Sequence, residues 1–116
     1  MFRAISAAAL GLLLLAAVEP VPNINPEPSC RNAAERAKPI GNIEACMRME
    51  QSVRDELVKR WGEFTPQDKA SCIPLVTTGG TPTYTELLTC LEMTRDARLL
   101  RESKGRDESE GRGTSR

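Results

Sequence analysis

The side chains best suited to chemistry in this chain are four cysteines, Cys30, Cys46, Cys72 and Cys90. Thiols can hold zinc, attack an electrophile, exchange disulfides or cross-link the chain, and spacing sorts these uses. Structural zinc sites gather ligands in close pairs about two to four residues apart, whereas the intervals here hold 15, 25 and 17 residues. No Cys-x-x-Cys pair exists for thioredoxin-like exchange. A nucleophilic cysteine needs a lowered pKa, commonly from a histidine, and the chain has no histidine. Two structural disulfides are the use that remains. No catalytic residue, metal ligand or cofactor is expected, and the chain does not read as an enzyme.

The carboxylates lead to the same place. Glu50, Asp55, Glu56, Glu86, Glu92 and Asp96 are available for acid–base work, but Glu50, Asp55 and Glu56 each stand four residues before a base (Arg54, Lys59, Arg60). That is the spacing of solvated ion pairs on a helix surface. For ligand contact the candidates are Trp61, Gly79, Gly80 and Tyr84, which could border a crevice between helices. Their plainer roles are two core rings and a helix–helix turn, since no Gly-Lys-Ser/Thr follows the glycines as in a phosphate-binding loop. With 16 basic and 16 acidic residues and 3% aromatics, neither the basic excess of a nucleic-acid binder nor a stacking platform is present.

The elements that must position these residues read as helices. Asn42 is a good N-cap, Glu44 suits the first turn, and Cys46, Met49, Val53, Leu57, Trp61 and Phe64 form an apolar stripe. Thr65-Pro66-Gln67-Asp68 starts a second, short helix, predicted to stop at Ile73 because Pro74 follows. Thr83 and Glu86 make a capping box for a last helix reaching Glu102. There Tyr84, Leu87, Leu88 and Leu91 form one stripe and Cys90, Met93, Ala97 and Leu100 a second, together a face broad enough for more than one neighbour. Asn32 to Lys38 predicts a short helix before Pro39 and Gly41. The fold class is all-α: a disulfide-stapled bundle of two long helices and a short connecting one.

The ends complete the organisation. Met1-Phe2-Arg3 precedes an uncharged apolar run, Ala4 to Val18, of 15 residues. This is the pattern of a secretory signal peptide, cut between Ala17 and Pro20, and it is shorter than the roughly 20 residues of a membrane-spanning helix. Residues 1–18 are therefore read as a leader and 19–41 as a Pro-rich linker carrying Cys30, its stretch 19–29 having nothing to bury. Residues 42–102 form the helical domain, and 103–116 a disordered tail with no apolar side chain. Export to the periplasm or medium is an oxidising destination, where cysteines form disulfides. Four cysteines allow three pairings. Cys72 with Cys90 would close the TTGGTP loop, and Cys30 with Cys46 would tie the N-terminal segment to the first long helix. Cys46 with Cys90 is the rival, should the last helix pack higher along the first.

The segments C-M-R-M-E-Q-S-V-R-D-E-L-V-K (46–59), W-x-x-F-T-P-x-D-x-x-x-C (61–72) and G-G-T-P-T-Y-T-E-L-L-T-C-L-E-M (79–93) resemble a family of small exported proteins of rhizobia and related alphaproteobacteria. The resemblance covers about residues 30 to 100 and implies export, a helical body and paired cysteines. It brings no activity or catalytic residue. The expectation is an exported, periplasmic helical protein acting as a protein-interaction or envelope accessory module, with an unidentified protein partner. The alternative is a small-ligand or metal carrier using an inter-helix crevice.

Overall fold

The structure, a computed structural model, describes residues 20–114, with side chains through Gly111. The predicted leader, residues 1–18, lies outside them. The described chain contains four α-helices and no strand: α1 (Glu27–Arg36), α2 (Ile43–Arg60), α3 (Pro66–Thr77) and α4 (Tyr84–Thr114), with a single 3₁₀ turn at Trp61–Glu63. α2 and α3 both pack on α4, and α1 packs on α2. Among the described residues no helix is long and apolar enough to cross a membrane.

Helix starts follow local chemistry. The Asn42 side chain accepts from the Ala45 amide at 3.1 Å, opening α2 at its predicted place. At α3 the Thr65 hydroxyl accepts from the Asp68 amide (3.1 Å) while the Asp68 carboxylate accepts from the Thr65 amide (3.2 Å). This reciprocal pair satisfies two amides that a helix leaves unbonded at its start.

The core is one cluster of Ile24, Leu57, Trp61, Phe64, Cys72, Val76, Tyr84, Leu87 and Leu91, flanked by Val21, Val53, Ile73, Leu88 and Cys90. Two disulfides close it, Cys30–Cys46 and Cys72–Cys90, with Cα–Cα distances of 5.6 and 5.7 Å. The first fastens α1 to α2 and the second α3 to α4. The rival Cys46–Cys90 pairing does not occur.

Several expectations need correction. The Pro-rich stretch has no regular secondary structure over residues 20–26, but it has something to bury: Ile24 is only 5% exposed, and its amide donates to the Tyr84 hydroxyl at 2.9 Å. The helix after it starts at Glu27, not Asn32, because Pro26 and Pro28 fall at its cap and first turn, where a fixed φ favours the helix. Helix α3 does not stop at Ile73 but runs through Pro74 to Thr77. Proline removes its own amide donor and crowds the carbonyl one turn back, but the turn that follows it is held by Thr78 N–H to Pro74 C=O (3.0 Å) and by the buried Val76. On α2 the inward stripe is Cys46, Glu50, Val53 and Leu57. Met49 is 66% exposed, and Glu50 is buried in its stead. Beyond Glu102 helical backbone continues to Thr114, while residues 101–111 are all exposed and add nothing to the core, as their lack of apolar side chains requires.

Candidate interaction surface

The seam between α3 and α4 opens outward into an apolar groove of about 500 Å³, walled by Leu75, Val76, Thr89, Cys90 and Met93 and ending at Thr85 and Glu86. Its lips are solvent-facing: Leu75 is 72% and Met93 68% exposed. Both arise from the run of α3 and α4. Extending α3 past Pro74 turns Val76 into the core and leaves Leu75 outward. On α4 the stripe Tyr84, Leu87 and Leu91 is covered, whereas Met93, Ala97 and Leu100, which fall within about 60° of one another in helical projection, face solvent.

Charged groups fasten these elements together. Arg60 and Arg95 lie over the Phe64 ring, 5.7 and 5.5 Å from its centroid, and both bond the Glu63 carboxylate, at 3.2 and 3.1 Å. Although burial opposes it, the Glu63 hydrogen bond raises the Arg60 pKa, with Glu92 adding to the effect. Arg98 of α4 reaches the buried Asp68 at 3.3 Å. Burial alone would raise the Asp68 pKa. The Thr65 amide and the Arg98 guanidinium outweigh it and hold the carboxyl below its usual range. Glu50 of α2 is also buried, accepting at Oε2 from the Tyr84 amide (2.7 Å) and at Oε1 from the Thr85 hydroxyl. It caps α4 from a neighbouring helix, with Thr83 completing the cap through the Glu86 amide (3.0 Å). The expected solvated Glu50–Arg54 pair is thus replaced by a buried contact. These groups bind helix to helix and leave no convergent acid pair.

The residues singled out in the sequence are scattered. All four cysteines are oxidised, so no thiolate is free to ligate zinc, and among the described residues no group of three or more Cys, Asp or Glu is placed to hold a metal ion. Trp61 and Tyr84 both belong to the core, Trp61 with the Lys69 ammonium 4.6 Å from its ring. Tyr84 also edges a crevice of about 370 Å³ beside Asn23, Ile24 and Met47. Gly79 and Gly80 stand exposed in the α3–α4 loop and line neither this crevice nor the apolar groove. The groove residues Leu75 and Thr89 carried no signal in the sequence: a helix read as stopping at Ile73 leaves Leu75 no face to occupy. Met93 did carry one, as part of the second α4 stripe.

Comparison with protein-family models, with curated proteins and with solved structures returns no match to this chain.

Proposed function

We propose that this protein is exported to the periplasm or medium and works there as a small stapled interaction module, either a binding partner or an envelope accessory, with the α3–α4 groove as its contact surface. The groove carries this reading: two large apolar side chains stand in solvent beside an apolar channel, on a scaffold held by two disulfides. Exposed apolar area of this kind is costly to maintain in water and marks contact sites. The disulfides favour an oxidising compartment, in keeping with the apolar run at residues 4–18.

The test places a photo-cross-linking residue at Thr89, inside the groove, or at Ser52, on the exposed side of α2, in the full chain expressed in an alphaproteobacterial host. Export with both disulfides intact, together with a protein adduct from Thr89 that Met93→Asp abolishes and Ser52 does not give, is the expected result. Retention in the cytosol, free thiols or equal labelling from both positions would overturn it. The volume and apolar walls of the groove also suit a small ligand, which supports the carrier reading. In that case native mass spectrometry of the exported protein finds a bound small molecule and Thr89 labels no protein.

A further inference from the structure

Helix α4 packs against both α2 and α3 and still leaves one apolar stripe uncovered. Its first stripe, Tyr84, Leu87 and Leu91, is buried against the rest of the bundle. Its second, Met93 and Leu100, is 68% and 70% exposed. Along the same azimuth lie Glu86 at one end and Lys104 at the other, 18 residues apart, which is five full turns and about 27 Å. Both are exposed. The stripe is therefore apolar in the middle, acidic at one end and basic at the other, a pattern complementary to itself when reversed.

We infer that the occupant of the groove is α4 of a second copy of this chain, laid antiparallel with the two-fold axis at the level of Arg95. The inference rests on the reading of the groove as a contact surface and names what fills it. In this register Glu86 meets Lys104 of the other copy, twice by symmetry. Met93 meets Ala97, again twice, and Leu100 comes opposite Cys90, where the groove lies. The arrangement also gives the far part of α4 a function. Residues 101–111 project as exposed helix containing Gly105 and Gly111, each of which costs about 1 kcal/mol relative to alanine in a helix interior. In this register residues 101–105 lie along the other copy's groove and 106–111 run past the start of its α4 toward the α3–α4 loop, neighbours that the isolated chain lacks.

Sedimentation equilibrium of the oxidised, exported protein tests the inference. The wild type is expected to dimerise reversibly, and its melting temperature to rise with protein concentration. Leu100→Asp abolishes the dimer while keeping both disulfides and the helical signal. Glu86→Lys and Lys104→Glu each place like charges together at both ends and weaken the dimer about tenfold, the effect shrinking at high salt. Mixing the two variants, or combining them in one chain, restores it, because each lysine again meets a glutamate. A monomeric wild type that still gives the Thr89 protein adduct overturns the second copy and leaves the interaction module standing. A monomer without any adduct removes both. A dimer indifferent to Leu100→Asp and to the charge swaps uses another face and refutes this one.

Discussion

Glu50 shows how much one side chain decides here. It sits at an inward position of α2, where an apolar residue is the usual occupant, and its carboxylate bonds the first amide of α4 and the Thr85 hydroxyl. An acidic group at a helix start meets both the unbonded amides and the positive end of the dipole. Removing it strands the buried Tyr84 amide, so Glu50→Ala is expected to cost about 1–3 kcal/mol in a urea melt, while Glu56→Ala, exposed on the same helix, leaves the midpoint nearly unchanged. Equal effects would deny Glu50 its capping role. Asp68 sets a pH dependence. Its pKa is lower folded than unfolded, so its contribution is fully present above the unfolded value, about 3.9, and is lost as pH falls through the folded one. Asp68→Asn is therefore expected to flatten the acid limb of a stability–pH profile and to lower stability at neutral pH. An unchanged acid limb would count against this. Neither burial was legible locally. Glu50 has Arg54 four residues on, the spacing of a surface pair, and only the approach of α4 turns it inward. Asp68 was legible as a helix-start residue, but its partner Arg98 lies thirty residues away.

At the level of elements, the joint between α1 and α2 depends on close approach. A Cβ on Gly41 would stand 2.2 Å from the Ala34 carbonyl oxygen and 2.6 Å from its Cα, both backbone atoms, whereas one on Gly80 meets nothing within 4 Å. Gly41→Ala must push α1 off α2 and is expected to lower the melting temperature by several degrees, about 1–3 kcal/mol. Gly80→Ala should be neutral or slightly stabilising through the unfolded chain. Thermal melts of the two variants decide it, and a tolerated Gly41→Ala would contradict the packing described. Starts were easier to read than stops. Asn42 and Thr65 cap where their side chains reach an amide within their own turn, a local event. The end of α3 lies beyond its local signal because the cost of a proline is local, whereas the burial of Val76 that rewards the extra turn depends on the rest of the core.

For the molecule as a whole, the body is small and two cross-links fasten its helices in pairs. Each disulfide closes a loop, with separations of 16 and 18 residues, worth roughly 3 kcal/mol in the chain-entropy model. Reduction is expected to lower the melting temperature strongly. Cys72→Ala, which also empties a fully buried position, should do more damage than deleting residues 103–116, measured in dilute solution where association plays no part. Identical melting points for oxidised and reduced protein would overturn the staple. Hydrogen exchange should be slowest around Leu57, Leu87 and Leu91 and fastest beyond Glu102, following burial.

Cysteine spacing, apolar periodicity and capping residues were enough by themselves to establish an all-helical, doubly cross-linked chain, together with the placement of α2 and the start of α3. Each of these is written within a few residues of itself, in a helical period or a side chain bonding its own turn. Which of three pairings the cysteines adopt, which glutamate is buried, and which of the two stripes on α4 stays in solvent were decided only when the helices met. Those outcomes depend on distances between residues far apart in the chain, and no local pattern contains such distances.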